Sequence, residues 1–209
     1  MKAIQVEGDG LVWADFERPV CGPGEVRIQV AASAINRADL LQRGGGYPPP
    51  PGASPIMGLE CSGTVIELGE GVSSYAVGDE VCALLAGGGY AEEVVVPAGQ
   101  VLPVPKGVAC VDAAALPEVF ATAYLNLYME AALAPTERVV IHAGASGVGT
   151  AALQMLKHSG KPALSPWAAK PSSISVWHWG LPAVPFVTRV RFCQHCKRGW
   201  KRGEQLARM

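Results

Sequence analysis

Between Val139 and Lys157 an apolar run, Val139-Val140-Ile141, feeds a glycine-rich turn, Ala143-Gly144-Ala145-Ser146-Gly147-Val148-Gly149. An amphipathic run, Ala151-Ala152-Leu153-Gln154-Met155-Leu156-Lys157, follows it. Strand, tight turn and helix in that order open a dinucleotide-binding unit. Glycines let the backbone approach a pyrophosphate, and the helix N-terminus offers unpaired N–H groups at the positive end of its dipole. On this reading Gly144, Ser146, Gly147, Val148 and Gly149 hold the pyrophosphate through backbone amides. The plainer reading is a tight turn with no ligand; the flanking strand and helix favour the first. Residues 139–209 are too few for both halves of a nucleotide domain, which takes roughly 100–150 residues. The expectation is therefore an incomplete Rossmann domain.

Three further groups have types suited to chemistry. Asn36 and Asp39 share one face of a short helical turn. Read from the residues alone, they are an N-cap Asn and a solvated Asp. Tyr47 stands in a Gly/Pro loop, where it either stacks on a flat ligand or seals the edge of the core. Thr122 lies on a helix that starts at Pro117, and an ordinary helical Thr bonds back to a carbonyl. His142, beside the apolar strand, reads as a packed residue rather than a base.

The elements that must position these groups follow from the apolar pattern. Lys2–Val6 and Leu11–Phe16 alternate as strands around a Gly8-Asp9-Gly10 turn. Glu25–Ala34 alternates again, with Val26, Ile28 and Val30 on one face. Asn36–Arg43 reads as a short helix, and residues 44–52, rich in Gly and Pro, as an exposed loop. Glu60–Leu68, Glu80–Leu85 and Ala91–Val96 are further strands. Frequent short strands divided by glycine turns indicate a small, partly closed β-barrel. Pro117–Ala132 reads as a helix, with Pro117 suited to its first turn.

The 209 residues are 49% hydrophobic, ample for a core, and no apolar run reaches the length of a membrane span. The opening Met1-Lys2 leads straight into a strand rather than a signal peptide. Cys21, Cys61, Cys82 and Cys110 sit in apolar surroundings, as free thiols do in a reducing cytosol, so a cytoplasmic location is expected. The net charge of −1 conceals a split. Residues 1–160 carry eight Lys and Arg against seventeen Asp and Glu, whereas residues 161–209 carry nine against one and four of the five Trp. That shift marks a boundary near Gly160. Beyond it no apolar strand is expected between Lys161 and Trp179. In the tail, Cys193-Gln194-His195-Cys196 with His178 could be drawn as a zinc set, but a lone Cys-x-x-Cys is weak. The basic residues around Trp200 read as a solvated tail rather than a nucleic-acid or membrane contact.

Five segments in order resemble the zinc-independent quinone oxidoreductases of the medium-chain dehydrogenase/reductase superfamily, the zeta-crystallin-like branch. They are Ala31–Asp39, Gly58-Leu59-Glu60-Cys61-Ser62-Gly63, Val77–Val81, Gly87-Gly88-Gly89-Tyr90-Ala91-Glu92 and the turn at 144–149. The resemblance covers residues 1–160 and leaves 161–209 unmatched. It implies an α/β protein with a GroES-like β-barrel at 1–113, a truncated Rossmann domain at 114–160 and an irregular basic tail at 161–209. It implies NADPH as cofactor and a quinone as substrate, with hydride passing in a cleft between the domains. It places Asn36 and Asp39 near the nicotinamide and substrate as a polar network, Tyr47 by the quinone, and Thr122 by the nicotinamide amide. Zinc-dependent relatives use a Cys where this chain has Asn36 and a His where it has Leu59, so no metal is expected to polarise a carbonyl. An already electron-poor acceptor, a quinone or α,β-unsaturated ketone, then fits better than an alcohol. The family forms homodimers through edge strands of the nucleotide domain, which are not expected here. The tail reads as an alternatively spliced or out-of-frame end. The expectation is a monomer or ill-defined oligomer with impaired catalysis, or a non-catalytic isoform acting through partners.

Overall fold

In a computed structural model, residues 1–8, 10–161 and 163–164 are described. The chain divides into two units, Met1–Glu118 and a second beginning at Val119.

The first unit starts with a hairpin, β1 (Lys2–Glu7) against β2 (Gly10–Asp15), antiparallel, with Ile4 opposite Trp13. Next come β3 (Glu25–Ala32), α1 (Arg37–Arg43), β4 (Glu60–Leu68), β5 (Glu80–Leu84), β6 (Glu93–Pro97) and β7 (Val101–Pro103). The last five strands form one antiparallel sheet in the order β6-β3-β4-β5-β7. Alternation in β3 works as the sequence implies: Val26 and Ile28 are fully buried, and Gln29 beside them faces out. They meet Cys61 and Val65 of β4, Val81 and Ala83 of β5, and Val94 and Val96 of β6 in one core. The hairpin is stitched to this unit by an Ala3–Ala91 bridge, with Ile4 N–H donating to the Tyr90 carbonyl at 2.8 Å. Two elements escape the sequence pattern, β7 and α2 (Cys110–Ala113), both too short to show a period. The helix α2 lies on β3, β4 and β5.

The helix α3 (Pro117–Tyr124) crosses the boundary between the units. The expected single helix to Ala132 changes form at Leu125. Residues Leu125–Glu130 are π-helical, with Ala131 N–H donating to the Asn126 carbonyl at 3.1 Å. The Asn126 carboxamide, donating to the Thr122 carbonyl at 2.8 Å, occupies an acceptor of the ordinary ladder, and a side chain inserted there favours the wider turn. The second unit continues with β8 (Val139–Val140), α4 (Gly147–His158) and β9 (Ala163–Leu164). The strands β8 and β9 are parallel, joined through α4 as a βαβ unit. This corrects the expectation of no strand after Lys161. A two-residue strand, set in a sequence with Pro162 before it and Pro166 soon after, is too short to register as an apolar run. Leu127, Ala151, Ala152 and Leu156 form the buried centre of this unit. Among the described residues no helix is long and apolar enough to cross a membrane. The Cys193–Cys196 motif, His178 and the basic residues around Trp200 lie outside the described residues.

Candidate active site

The first unit holds a chain of hydrogen bonds around two buried carboxylates. Asn36 is the N-cap of α1 and Asp39 its third residue, and the two form a reciprocal capping box. The Asn36 backbone N–H donates to Asp39 Oδ2 at 2.6 Å. Tyr90 donates its hydroxyl to the same oxygen at 2.8 Å. The Asn36 carboxamide in turn donates through Nδ2 to Glu60 Oε1 at 2.8 Å, and the Glu118 backbone N–H donates to Glu60 Oε2 at 2.9 Å. Glu60 is 1% exposed and Asp39 3%, so Asp39 is not the solvated residue its position suggests. The tertiary fold closes over it, with the Tyr90 hydroxyl as its cover. Asp39 Oδ1 is buried with no hydrogen-bond partner.

Electrostatics follow from this burial. Burial pushes the Glu60 carboxyl above the usual glutamate range. Hydrogen bonds from Glu118 N–H and Asn36 oppose the rise, and the negative charges of Glu118 and Asp39 add to it. Burial, then the hydrogen bond to Asp39, raise the Tyr90 phenol well above its ordinary value. Neighbouring Cys61 is pushed up to about 12 by burial, which makes it an inert thiol.

Glycine makes this arrangement possible. Gly58 has φ +102°, and a Cβ there would stand 2.7 Å from Gly89 Cα and Tyr90 N. Residues 56–58 therefore lie directly on 88–90, tied by Gly88 N–H to the Ile56 carbonyl at 2.7 Å and Tyr90 N–H to the Met57 carbonyl at 3.0 Å. That contact holds Tyr90 in place over Asp39. Neither Glu60 nor Tyr90 stands out in the sequence as a site residue. Their only signal is an acid and an aromatic placed soon after glycines.

In the second unit the glycine turn is built from backbone groups. Ser146 is the N-cap of α4, and its hydroxyl accepts the Gly149 N–H at 3.0 Å. Ser146 N–H donates to the Ala143 carbonyl at 2.9 Å. Two of the five predicted amides are thus engaged in the turn. The Gly147 and Val148 amides, in the first turn of α4, make no hydrogen bond among the described residues. A Cβ on Gly149 would stand 2.4 Å from the Ala143 carbonyl oxygen, so this glycine lets strand end and helix start pack together. The left-handed residue of the turn is Ala143, φ +54°, not Gly144, which is buried. His142 is exposed, not packed: it stands in the turn that follows β8. Thr122 is half-buried on α3, and Tyr47 is 46% exposed, so its ring does not seal the core. Among the described residues no three His, Cys, Asp or Glu side chains gather as metal ligands.

Residues 22–106 match the alcohol dehydrogenase GroES-like domain. The chain is 40% identical over 139 residues to the rat synaptic vesicle membrane protein VAT-1 homolog, covering 66% of this chain and 34% of that protein. Its fold is similar to the enoyl reductase of CurK, with a TM-score of 0.72 and 33% identity over 82% of this chain and 55% of that one. It is also similar to the quinone oxidoreductase from Coxiella burnetii, with a TM-score of 0.69 and 30% identity over 79% and 56%. The chain is similar to members of the medium-chain dehydrogenase/reductase superfamily, and its residues 22–106 carry the match to their GroES-like domain. It spans about half the length of these solved superfamily structures and a third of the VAT-1 homolog. Its GroES-like unit and partial Rossmann-like region match the expected fold class.

Proposed function

We propose that this chain carries the working parts of a zinc-independent, NADPH-dependent oxidoreductase that reduces a quinone or an α,β-unsaturated ketone. Its motifs resemble those of the tumour-suppressor-inducible quinone oxidoreductase. The observation that carries the reading is the environment of Asn36. Where zinc-dependent relatives place a cysteine ligand, this chain has a carboxamide bonded to buried Glu60, so the position belongs to a hydrogen-bond network. The similarity to an enoyl reductase and to a quinone oxidoreductase supports an acceptor with a conjugated carbonyl.

The glycine turn fits a dinucleotide phosphate: two unengaged amides stand at the first turn of a twelve-residue helix. Gly147 and Val148 would bind phosphate oxygens there, while Ser146, Gly144 and Gly149 fix the turn. When bound, NADPH supplies a hydride to an electron-poor carbon, and the resulting anion is delocalised over the acceptor. Asn36 and Asp39 orient the polar groups on the substrate side, Thr122 the nicotinamide amide, and Tyr47 offers an exposed ring for stacking on the quinone. Water or a polar side chain provides the closing proton. A second reading is a non-catalytic chain that acts through protein partners.

The test is a fluorescence titration of the purified 209-residue chain with NADPH, followed by NADPH consumption with 1,4-benzoquinone. Saturation in the micromolar to sub-millimolar range and slow quinone-dependent oxidation are expected. A flat titration defeats the cofactor assignment and leaves the second reading.

A further inference from the structure

Glu60 has no role in the chemistry above, yet among the described residues of the first unit it is the most completely buried charged side chain. It lies in β4 and reaches two separate elements. One oxygen takes the side chain that caps α1, from 24 residues away. The other takes a backbone amide in the first turn of α3, from 58 residues away. Its own backbone carbonyl accepts from Ser33 Oγ at 2.6 Å, which fixes the strand at that point. An ionised carboxylate is acceptor-only, so it can receive both N–H groups at once. A helix N-terminus also favours a negative charge.

We propose that Glu60 is a positioning residue of the site: one buried carboxylate holds the N-terminal ends of α1 and α3, and with them the orientation of the Asn36 carboxamide. This rests on the reading of Asn36 and Asp39 as site residues. Because Glu60 must receive a proton donor, Nδ2 of Asn36 faces it and Oδ1 is left to face the amide of Asp39, as the capping box requires. Protonation reverses the logic. A carboxylic acid donates one hydrogen and cannot accept both N–H groups with full strength, so the Asn36 carboxamide turns over or one helix end is released.

Burial makes this protonation reachable at milder acidity than for an ordinary glutamate. The charges bearing on Glu60 are both negative, Glu118 and Asp39. Tyr90, Cys61 and Cys82 are the other ionisable groups within its influence, and all three are held in their neutral forms. The site is therefore lost from the acid side as pH falls through the raised Glu60 value.

The experiment is a pH titration of the full chain by proton–nitrogen NMR, following the Glu118 backbone amide and the Asn36 side-chain amide, in the native protein and in Glu60→Gln. Both signals are expected to move with one shared midpoint above the usual glutamate range, and that transition disappears in Glu60→Gln while signals from the β3–β6 pair stay put. Two unrelated midpoints, or a transition that survives the substitution, overturn the proposal. Quinone reduction is measured alongside. Glu60→Gln is expected to lower kcat/KM about tenfold, mainly through kcat, and to remove the acid limb of the pH profile. An unaltered acid limb and unaltered kcat/KM also overturn it. Glu60→Asp, shorter by one methylene, separates charge from reach. If it restores one or both of the amide shifts, a carboxylate at this position is what holds the two ends and the proposal stands; if it restores neither while the β3–β6 signals stay native, the proposal fails. The NMR result stands whether or not the chain reduces quinones, so failure of the oxidoreductase reading is distinguishable from failure of this one.

Discussion

The two regions proposed to receive the acceptor and the cofactor are built by opposite means. In the first unit two buried carboxylates, Asp39 and Glu60, draw partners from 24, 51 and 58 residues away in the sequence. In the second unit the groups are backbone amides within one turn, and side chains serve only to shape it. The difference is one of cost. A buried carboxylate must have its hydrogen bonds supplied by the surrounding fold or it destabilises the protein. A helix start carries its donors wherever the helix goes. The first region should therefore fail through loss of single partners, the second through loss of backbone geometry.

Substituting the glycine turn is the sharpest way to test that contrast. Gly149→Ala places a methyl where the Ala143 carbonyl oxygen already stands, 2.4 Å away. It is expected to destabilise the second unit by about 3 kcal/mol in urea unfolding and to remove NADPH binding. The first unit's NMR signals should stay unchanged; if Gly149→Ala binds NADPH normally, the turn is not a backbone site. Tyr90→Phe attacks the other region with almost no change in volume. It leaves Asp39 Oδ2 with only the Asn36 N–H, and the expected loss is about 2 kcal/mol in the first unit's unfolding free energy. No loss would mean that water replaces the hydroxyl and that the network is looser than its geometry implies. Ser146→Ala should have the smallest effect. It removes the cap on Gly149 N–H for about 1 kcal/mol, measured by thermal unfolding, yet it leaves the Gly147 and Val148 amides in place. NADPH affinity should change less than stability does.

Much of this is legible in the sequence, and the exceptions share a cause. The β3 alternation, the Asn36 cap and the Ser146-Gly147-Val148-Gly149 turn depend on neighbours within a few residues, so periodicity and spacing reveal them. The environment of Asp39 is hidden, because a carboxylate at the third position of a short helix is usually solvated, and the Tyr90 hydroxyl that bonds to it lies 51 residues on. The π-helical segment is hidden because a 3.6-residue period continues across it, while its cause is one carboxamide bonded to Thr122. The strand β9 is hidden because two residues carry no pattern.

By itself, then, the sequence determined the order of the longer strands and helices, the dinucleotide-type turn, and the absence of a Cys and a His at the positions of Asn36 and Leu59. Only the tertiary structure decided that Glu60, the residue beside Leu59, receives Asn36 and α3 on its two oxygens, and that Tyr90 caps Asp39. Local hydrogen bonds are written in short spacings. A buried charge finds its partners only when distant segments have been packed against each other, and no spacing records that.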